Sequence, residues 1–397
     1  MKKIAIVVQR CHEKVVGGSE AEAWHYANLL KDCYEVHILT TTALDFESWE
    51  NVLPERDELN GGINIRRFKV TQKRSEYWGE FHRLLLDDHN KKDFAKKPSD
   101  RLVKWPTALQ EEFIYKQGPY SEGLLEFLSE KGAGYKAVIF LTYLYATTYF
   151  GMFNVAEEKI VFVPTLHDEP TAYLSVYKYM AKRAKKILFN TQSEYEFAKL
   201  LWGDLPGYVV GMAVNTIKFS PSKLDFPYIL YCGRVDVNKG FPQLIDYFLK
   251  YKKNFPSGLR LVLTGDNKID IPASEDILFK GNVPEREKFE LMSGAGFFTM
   301  PSPNESFSIV TLEAMAQETP VLASDGSKVI VDHIRKSNAG FLYNDYESFE
   351  KGVNILSGNA EEARDIGKRG RRYVVNNYSI KIISKKLKEI IENLEQY

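Results

Sequence analysis

The chain has 397 residues, enough for two or three domains with full cores. Its 44% apolar and 27% charged residues describe a folded globular protein, and 53 basic residues against 53 acidic ones give no net charge to draw it to nucleic acid. Three scattered cysteines, Cys11, Cys33 and Cys232, exclude a disulfide framework and a zinc site, so no metal is expected.

The opening apolar run, 4–8, is too short for a signal-peptide core and reads as a buried strand, which predicts a cytoplasmic protein. GGSE follows at 17–20. Gly17 and Gly18 would let backbone approach a ligand closely, and Ser19 can cap the helix predicted over 19–31. The G-x-G-x-x-G dinucleotide fingerprint is not met, and a plain turn is the alternative reading. Strands are predicted at 35–40 and 63–68. Residues 66–104 are rich in Arg and Lys, interleaved with Trp78, Phe81, Leu84, Leu85, Leu86, Phe94 and Trp105. They predict a helical insertion over about 69–135, either a solvated helix and loop or a surface (66–105) for peripheral contact with the cytoplasmic face of a membrane or an acidic acceptor. The uncharged stretch 137–156 holds too many Thr and Tyr residues for a membrane span and reads as a strand, 137–141, running into a packed helix. Strands at 160–165 and 186–190 and a helix at 194–201 complete the first series. His167, with Asp168 and Glu169, follows the fifth of these strands. It is either structural or catalytic, and no second His or Cys is spaced to make a metal site with it.

A stretch with Pro206, Gly207, Gly211, Pro221 and Pro227 separates this series from a second. Strands are predicted there at 228–232, 260–264, 277–280, 296–300, 320–323 and 340–343, with helices such as 243–251 and 285–292 between them. Strand–helix alternation means a parallel sheet covered on both faces, and two series mean two doubly wound α/β domains. The expected division is 1–208, 209–377 and a last helix, 378–397, packing back on the first domain. Ligands in such folds sit at the carboxyl ends of strands.

Two motifs lie at such ends. In YILYCGRVDVNKGF, Gly233 closes a strand and Arg234, Lys239 and Gly240 follow. The cations suit a diphosphate leaving group, or are solvated surface charges before a helix. In PSPNESFSIVTLEAMA (301–316), Pro301 and Pro303 break regular structure, while Ile309, Val310, Leu312 and Met315 have helical spacing. Glu305 then lies in a loop and Glu313 in a helix. Backbone N–H groups around Ser306, Phe307, Ser308, Ile309 and Val310 suit an anion. The carboxylates could do acid–base work at a glycosidic bond, or hold hydroxyls of a ligand whose phosphates meet the helix start.

In order and spacing, these motifs resemble the retaining nucleotide-sugar glycosyltransferases of the GT-B fold, glycosyltransferase family 4. The likeness runs through GGSE, His167, GMAVN (211–215), GR followed by KG (233–240), LTGDN (263–267) and KGNVPE (280–285). It is strongest in PSPNESFSIVTLEAMAQETPVLAS (301–324). It implies two Rossmann-like domains facing across a central cleft, and metal-independent sugar transfer from a UDP- or GDP-sugar to a glycan or glycolipid. No cofactor beyond the nucleotide-sugar co-substrate is implied. Arg234 and Lys239 would hold the diphosphate beside Gly233, Glu305 the transferred sugar, Glu313 the ribose, and 306–310 the phosphates. Gly17 and Gly18 would lie against phosphates and acceptor, with His167 near the sugar. The chain departs from the family at Ser308 and Glu318, where glycine is usual, at Asn215, where aspartate is usual, and at 324–334, where a glycine-rich loop is common. A sugar-nucleotide epimerase and a degenerate sugar-nucleotide-binding partner subunit are the alternatives.

Overall fold

The computed structural model describes residues 1–12 and 17–395, and the chain divides into two compact units. Unit 1 is Met1–Gly211 with the chain from Ile383 onward, and unit 2 is Met212–Ile382.

Unit 1 is built on strands β1 (Lys3–Val7), β2 (Glu35–Thr41), β3 (Asp57–Asn60), β4 (Ile63–Phe68), β5 (Ala137–Leu141), β6 (Ile160–Val163), β7 (Lys186–Phe189) and β8 (Gly207–Val209). They form one sheet in the order β3-β4-β2-β1-β5-β6-β7-β8. Every pairing is parallel except β3 with β4. The central strands β5 and β6 are buried along their whole length, which is why they read as unbroken apolar runs. The two edge strands lack that signal. DELN in β3 is held by charge, with Asp57 on Arg66 and Glu58 on Arg67, and β8 is three partly exposed residues inside the stretch expected to be a linker.

Residues 69–135 are helical but are not an appendage. Helices Trp78–Asn90, Thr107–Gln117 and Glu122–Lys131 bury Leu85, Phe113, Ile114, Leu124 and Leu128 in one core with Val138 and Phe140 of β5. Each such side chain contributes about 1.5–3 kcal/mol, so these helices are a covering layer of the sheet itself. Many of the interleaved cations and rings satisfy each other within the unit. Arg74 lies 4.5 Å over Trp78, and Arg101 lies over Phe94 and Tyr173 at 5.2 and 4.9 Å. Tyr77, Leu84 and Phe94 stay exposed, as do Lys91, Lys96 and Lys97. Residues 137–156 form β5 and the packed helix Ala146–Met152, and among the described residues no helix is long and apolar enough to cross a membrane.

Unit 2 has six parallel strands: β9 (Tyr228–Cys232), β10 (Arg260–Thr264), β11 (Ile277–Phe279), β12 (Phe297–Met300), β13 (Val321–Ser324) and β14 (Gly340–Tyr343). Their order is β11-β10-β9-β12-β13-β14. Two apolar clusters cover its two faces. The helix Ile380–Glu392 buries Ile383, Leu387 and Ile391, one turn apart, and its Ser384 hydroxyl and Lys386 ammonium donate to the carbonyls of Leu29 and Val210, each at 3.3 Å.

In each sheet the strand order reverses at one place: beside β1 and β5 in unit 1, and beside β9 and β12 in unit 2. Loops leaving neighbouring strands at such a point run to opposite faces and leave a crevice at the carboxyl ends. In unit 2 the two loops touch at Gly240, which has φ 70° and where a Cβ would fall 2.3 Å from the Pro301 carbonyl oxygen. Gly240→Ala should therefore destabilise unit 2 by roughly 2–3 kcal/mol in chemical denaturation. An unchanged transition would mean the loops do not meet there.

Candidate functional site

At the carboxyl end of β9 the chain turns at Gly233, whose carbonyl oxygen occupies the space a Cβ on Gly265 would need. The Tyr231 hydroxyl donates to the Arg234 carbonyl at 2.6 Å, and the Asp236 carboxylate accepts from the Asn238 N–H at 2.8 Å. These bonds fix the loop that carries Arg234, exposed, and Lys239, half-buried. The loop after β12 carries Glu305. Across the reversal point Lys239 Nζ lies 2.6 Å from Glu305 Oε1, with only 26% and 14% of the two side chains exposed.

The helix that follows, Ile309–Ala316, starts from Ser308 at φ 59° and ψ 54°. Glu318, just beyond its other end, has φ 66°. The two positions where the sequence departs from an expected glycine are thus both left-handed, the region that glycine enters without strain. Ser308 spends its hydroxyl on Thr311 Oγ1, 2.8 Å away, rather than on a cap. Glu313 lies inside the helix with 10% of its side chain exposed, and Lys288 Nζ sits 2.9 and 2.8 Å from its two oxygens. Burial pushes the Glu313 carboxyl up, Lys288 works against that shift, and Glu285 adds to it.

Behind the loop stands His333, on the helix Lys328–Ser337 and almost fully buried. Its Nε2 is 3.1 Å from the Phe307 carbonyl oxygen and its Nδ1 is 3.0 Å from the Tyr373 hydroxyl. A carbonyl can only accept, so Nε2 carries the proton and Nδ1 accepts from Tyr373. Tyr373 in turn meets Tyr378 at 3.2 Å. Phe307 packs edge-on against both His333 and Tyr378. Burial lowers the His333 pKa to about 4, so the ring is neutral at pH 7. Cys232 beneath is inert: it is buried, Thr264 donates to its sulfur at 3.0 Å, and burial pushes its thiol up to about 12.

In unit 1 the corresponding strand ends carry left-handed threonines, Thr142 after β5 (φ 61°) and Thr165 after β6 (φ 51°). Such β-branched residues rarely adopt this region, and they aim the segments that bear Tyr143 and His167. His167, half-exposed, has Nε2 3.4 Å from Glu169 Oε2 and Nδ1 3.3 Å from the Thr165 carbonyl. Tyr143 donates to the other Glu169 oxygen. Glu194 accepts the N–H groups of Leu166 and Asn190, both at 2.7 Å, and pins the segment from below. Desolvation disfavours the imidazolium, but Glu169 outweighs it and the His167 pKa lies above its ordinary value. Ser19 is not the helix cap. The helix Gly18–Leu30 begins one residue earlier than expected, with Gly17 as its cap position, so Ser19 sits in the first turn and bonds Gln9 and Glu20 instead. A Cβ on Gly17 would fall 2.1 Å from Glu20, which Arg10 grips at 2.5 Å. Residues 13–16, which lead into Gly17, lie outside the described residues.

Gly233, Arg234, Lys239, Glu305, the 306–310 backbone and Glu313 therefore gather at the strand reversal of unit 2. Gly17, Gly18 and His167 belong to the carboxyl side of the unit 1 sheet. Lys288, His333, Tyr373, Tyr378 and Glu194 were not foreseen, because each acts through a contact distant in sequence and carries no motif.

Residues 214–373 match the family Glycosyl transferases group 1. The sulfoquinovosyl transferase SQD2 of Arabidopsis thaliana is 26% identical over 168 residues, 39% of this chain, and the match spans 31%, about a third, of that protein. Among solved structures, sucrose-phosphate synthase from Thermosynechococcus elongatus superposes with a TM-score of 0.69 at 16% identity, covering 100% of this chain and 99% of that one. Anabaena Alr3699/HepE, in complex with UDP and glucose, gives 0.65 at 15% identity over 99% and 100%. At these identities the structural likeness is one of fold. The α/β class with two Rossmann-like doubly wound domains, as in GT-B glycosyltransferases, is the fold observed.

Two measurements test this geometry. His333 titrates near 4 when folded and near 6.5 when unfolded, so its contribution to stability is complete above about pH 6.5 and is lost as pH falls towards 4, roughly 3 kcal/mol in all. Denaturation at a series of pH values should show this loss in the wild type and much less of it in His333→Gln; parallel curves would clear His333 of the effect. Similarly, Glu169→Gln should move the His167 titration, followed by NMR, to lower pH. A titration that stays in place would mean that Glu169 does not set the charge on His167.

Proposed function

We propose that this protein is a retaining glycosyltransferase that moves a sugar from a UDP- or GDP-sugar to a hydroxyl of a glycan or glycolipid without a metal. The observation that carries this reading is the Lys239–Glu305 pair at the β9/β12 reversal, in the loop that leads into the helix of Glu313 and inside the span that matches the glycosyltransferase family. The UDP and glucose held by the Anabaena protein of the same fold support the donor class.

Arg234 and Lys239 would take the diphosphate, together with backbone N–H groups of 306–310 at the helix start. The arriving phosphate competes with Glu305 for Lys239 and frees that carboxylate to accept hydroxyls of the sugar. Glu313 would accept the ribose hydroxyls. As the bond between the anomeric carbon and the phosphate oxygen breaks, the cations offset the charge left on the diphosphate. The acceptor oxygen bonds the same face of the anomeric carbon, and its proton passes to the departing phosphate oxygen, so no protein base is needed. His167, whose charge Glu169 supports, would steady the sugar. Ser308 and Glu318 keep the left-handed backbone that glycine gives the family, so these departures leave the loop geometry in place. The acceptor would be met at the cytoplasmic face of a membrane, with exposed Tyr77, Leu84, Phe94, Lys91, Lys96 and Lys97 as the contact.

Calorimetry should detect UDP or GDP binding to the wild type. Glu305→Gln and Lys239→Ala should each lower transfer by about 10²–10³-fold. Wild-type turnover in both variants would refute the roles. Free sugar released from the donor with no acceptor present would favour the epimerase.

A further inference from the structure

The carboxyl side of the unit 1 sheet carries an arginine that the proposed transfer does not use. Arg74 follows β4, and its guanidinium lies 4.5 Å from the Trp78 ring and 5.9 Å from that of Trp49, in the segment after β2. The rings attract the cation but give its N–H groups no oxygen to bond. Its Nε is shut off from solvent without a hydrogen-bond partner, and among the described residues the side chain makes no ion pair. The residue is half-buried, so the terminal N–H groups are its exposed part. Neighbouring cations are treated differently: Glu20 grips Arg10 at 2.5 Å, and Glu169 pairs with His167 at 3.4 Å. Asp45 and Glu47 act on Arg74 only from beyond ion-pair distance. Asp45 spends its carboxylate on the N–H groups of Glu47 and Ser48, at 2.9 and 2.6 Å, and on the Ser48 hydroxyl at 2.8 Å.

Arg74 is also close to the His167 segment. The His82 ring stacks on Trp78 at 4.8 Å and 11°. Burial lowers the His82 pKa, Glu169 works against that shift and Arg74 adds to it, so the ring lies within reach of both charges. Burial pushes the hydroxyl of Tyr145, edge-on to Trp49 at 5.1 Å, up to about 12, and Glu20, Arg10, Arg74 and Glu169 all act on it. A half-buried cation is thus left without a counter-charge near the residue that would steady the sugar. Arg101, which also lies against rings, is almost fully buried and offers no such edge.

We infer that Arg74 binds an anionic group of the acceptor, so that the sugar receiving the transferred unit carries a carboxylate or a phosphate. The inference rests on unit 1 being the acceptor side of the proposed transferase. Both groups present paired oxygens to the edge of a guanidinium, a two-bond contact. Such a ligand supplies the counter-charge that the fold withholds. The rings already hold the guanidinium in place, so little side-chain order is lost on binding. A neutral sugar gains none of this. One charged contact of this kind favours the anionic sugar on the order of tenfold or more.

The test is NMR on the full chain, with the Trp78 indole N–H as reporter, assigned through Trp78→Phe. Inorganic phosphate, glucose 6-phosphate, glucuronate and glucose are titrated to tens of millimolar into wild type, Arg74→Met and Arg74→Gln, and thermal unfolding checks that each variant is folded. The wild type should bind glucose 6-phosphate or glucuronate about tenfold or more tightly than glucose or phosphate alone, and the tighter of the two names the anionic group. Each Arg74 variant should bind charged and neutral sugars within about twofold of each other. Equal affinity for glucose and the anionic sugars in the wild type, no response to any anion, or a preference that persists in a folded variant overturns the inference. Phosphate binding as tightly as the sugars would mean an adventitious ion only, and also overturns it. If one variant does not fold, the other decides. If neither folds, the wild-type preference at the Trp78 signal decides. UDP and GDP binding is measured separately. If a nucleotide binds and the preference is absent, this inference alone falls. If the preference is present and no nucleotide binds, the transferase reading fails and the acceptor role falls with it.

Discussion

The parallel pairing of β9 with β12 is the constraint on which the rest of unit 2 depends. Ile229 lies against Phe297 and Leu230 against Phe298, so two strands some 70 residues apart end side by side. Their neighbours lie on opposite flanks, β10 beside β9 and β13 beside β12, so the chain leaves them in divergent directions. Only the loops at the carboxyl ends can close the gap. Gly240 against Pro301 sets how near they come, and Lys239 on Glu305 is the polar contact that this nearness permits. Local bonds of Tyr231 and Asp236 shape the Lys239 loop, but it is the pairing of the strands beneath that brings it to Glu305.

The chemistry of the two glutamates follows from the same geometry. A carboxylate with nine-tenths of its side chain out of water is driven towards its neutral form unless a cation or several donors hold its charge. Each glutamate meets one lysine, but on different terms. Lys239 touches one oxygen of Glu305 and is displaced easily by a stronger anion, whereas Lys288 holds both oxygens of Glu313. A diphosphate entering near Lys239 would therefore rearrange the first pair and leave the second intact. The pattern suits a site that responds to a ligand at one carboxylate and reads it with a fixed one. It also weighs against acid–base work by the pair, since a carboxylate tied to an ammonium is a poor proton carrier.

How much of this could be read from the sequence follows from where the information lies. Strands buried on both faces, such as β5 and β6, are written as continuous apolar runs, and their alternation with helices carries the doubly wound order. The edges are not written that way, so β3, which is held by charge pairs, and the three-residue β8 were passed over. The helices of 69–135 were visible as helices, but their membership of the sheet's own core depends on contacts between Leu85 or Phe113 and residues of β5 that no local pattern records. The run SDGSKVIVDHI turns into the helix Lys328–Ser337, and only that helix brings His333 to the Phe307 carbonyl. Motifs identified Glu305 and Glu313. Their partners Lys288 and His333, being tertiary, could not be identified in this way.

Ser308 shows how a residue other than glycine can hold a left-handed backbone. A non-glycine residue in the left-handed region costs roughly 1–2 kcal/mol. Glycine avoids that strain but gives up roughly 0.5–1 kcal/mol of chain entropy on folding. The second cost offsets about half of the first, which leaves serine roughly 0.5–1 kcal/mol behind glycine before its side chain is counted. The Ser308 hydroxyl bonds Thr311 inside the first turn, and the Phe307 carbonyl just before it is taken by His333. The helix start is thus tied down on both sides of residue 308, where glycine would leave one tie absent. If the proposed donor site is right, an anion would meet these N–H groups already in place, and little ordering would remain to be done on binding.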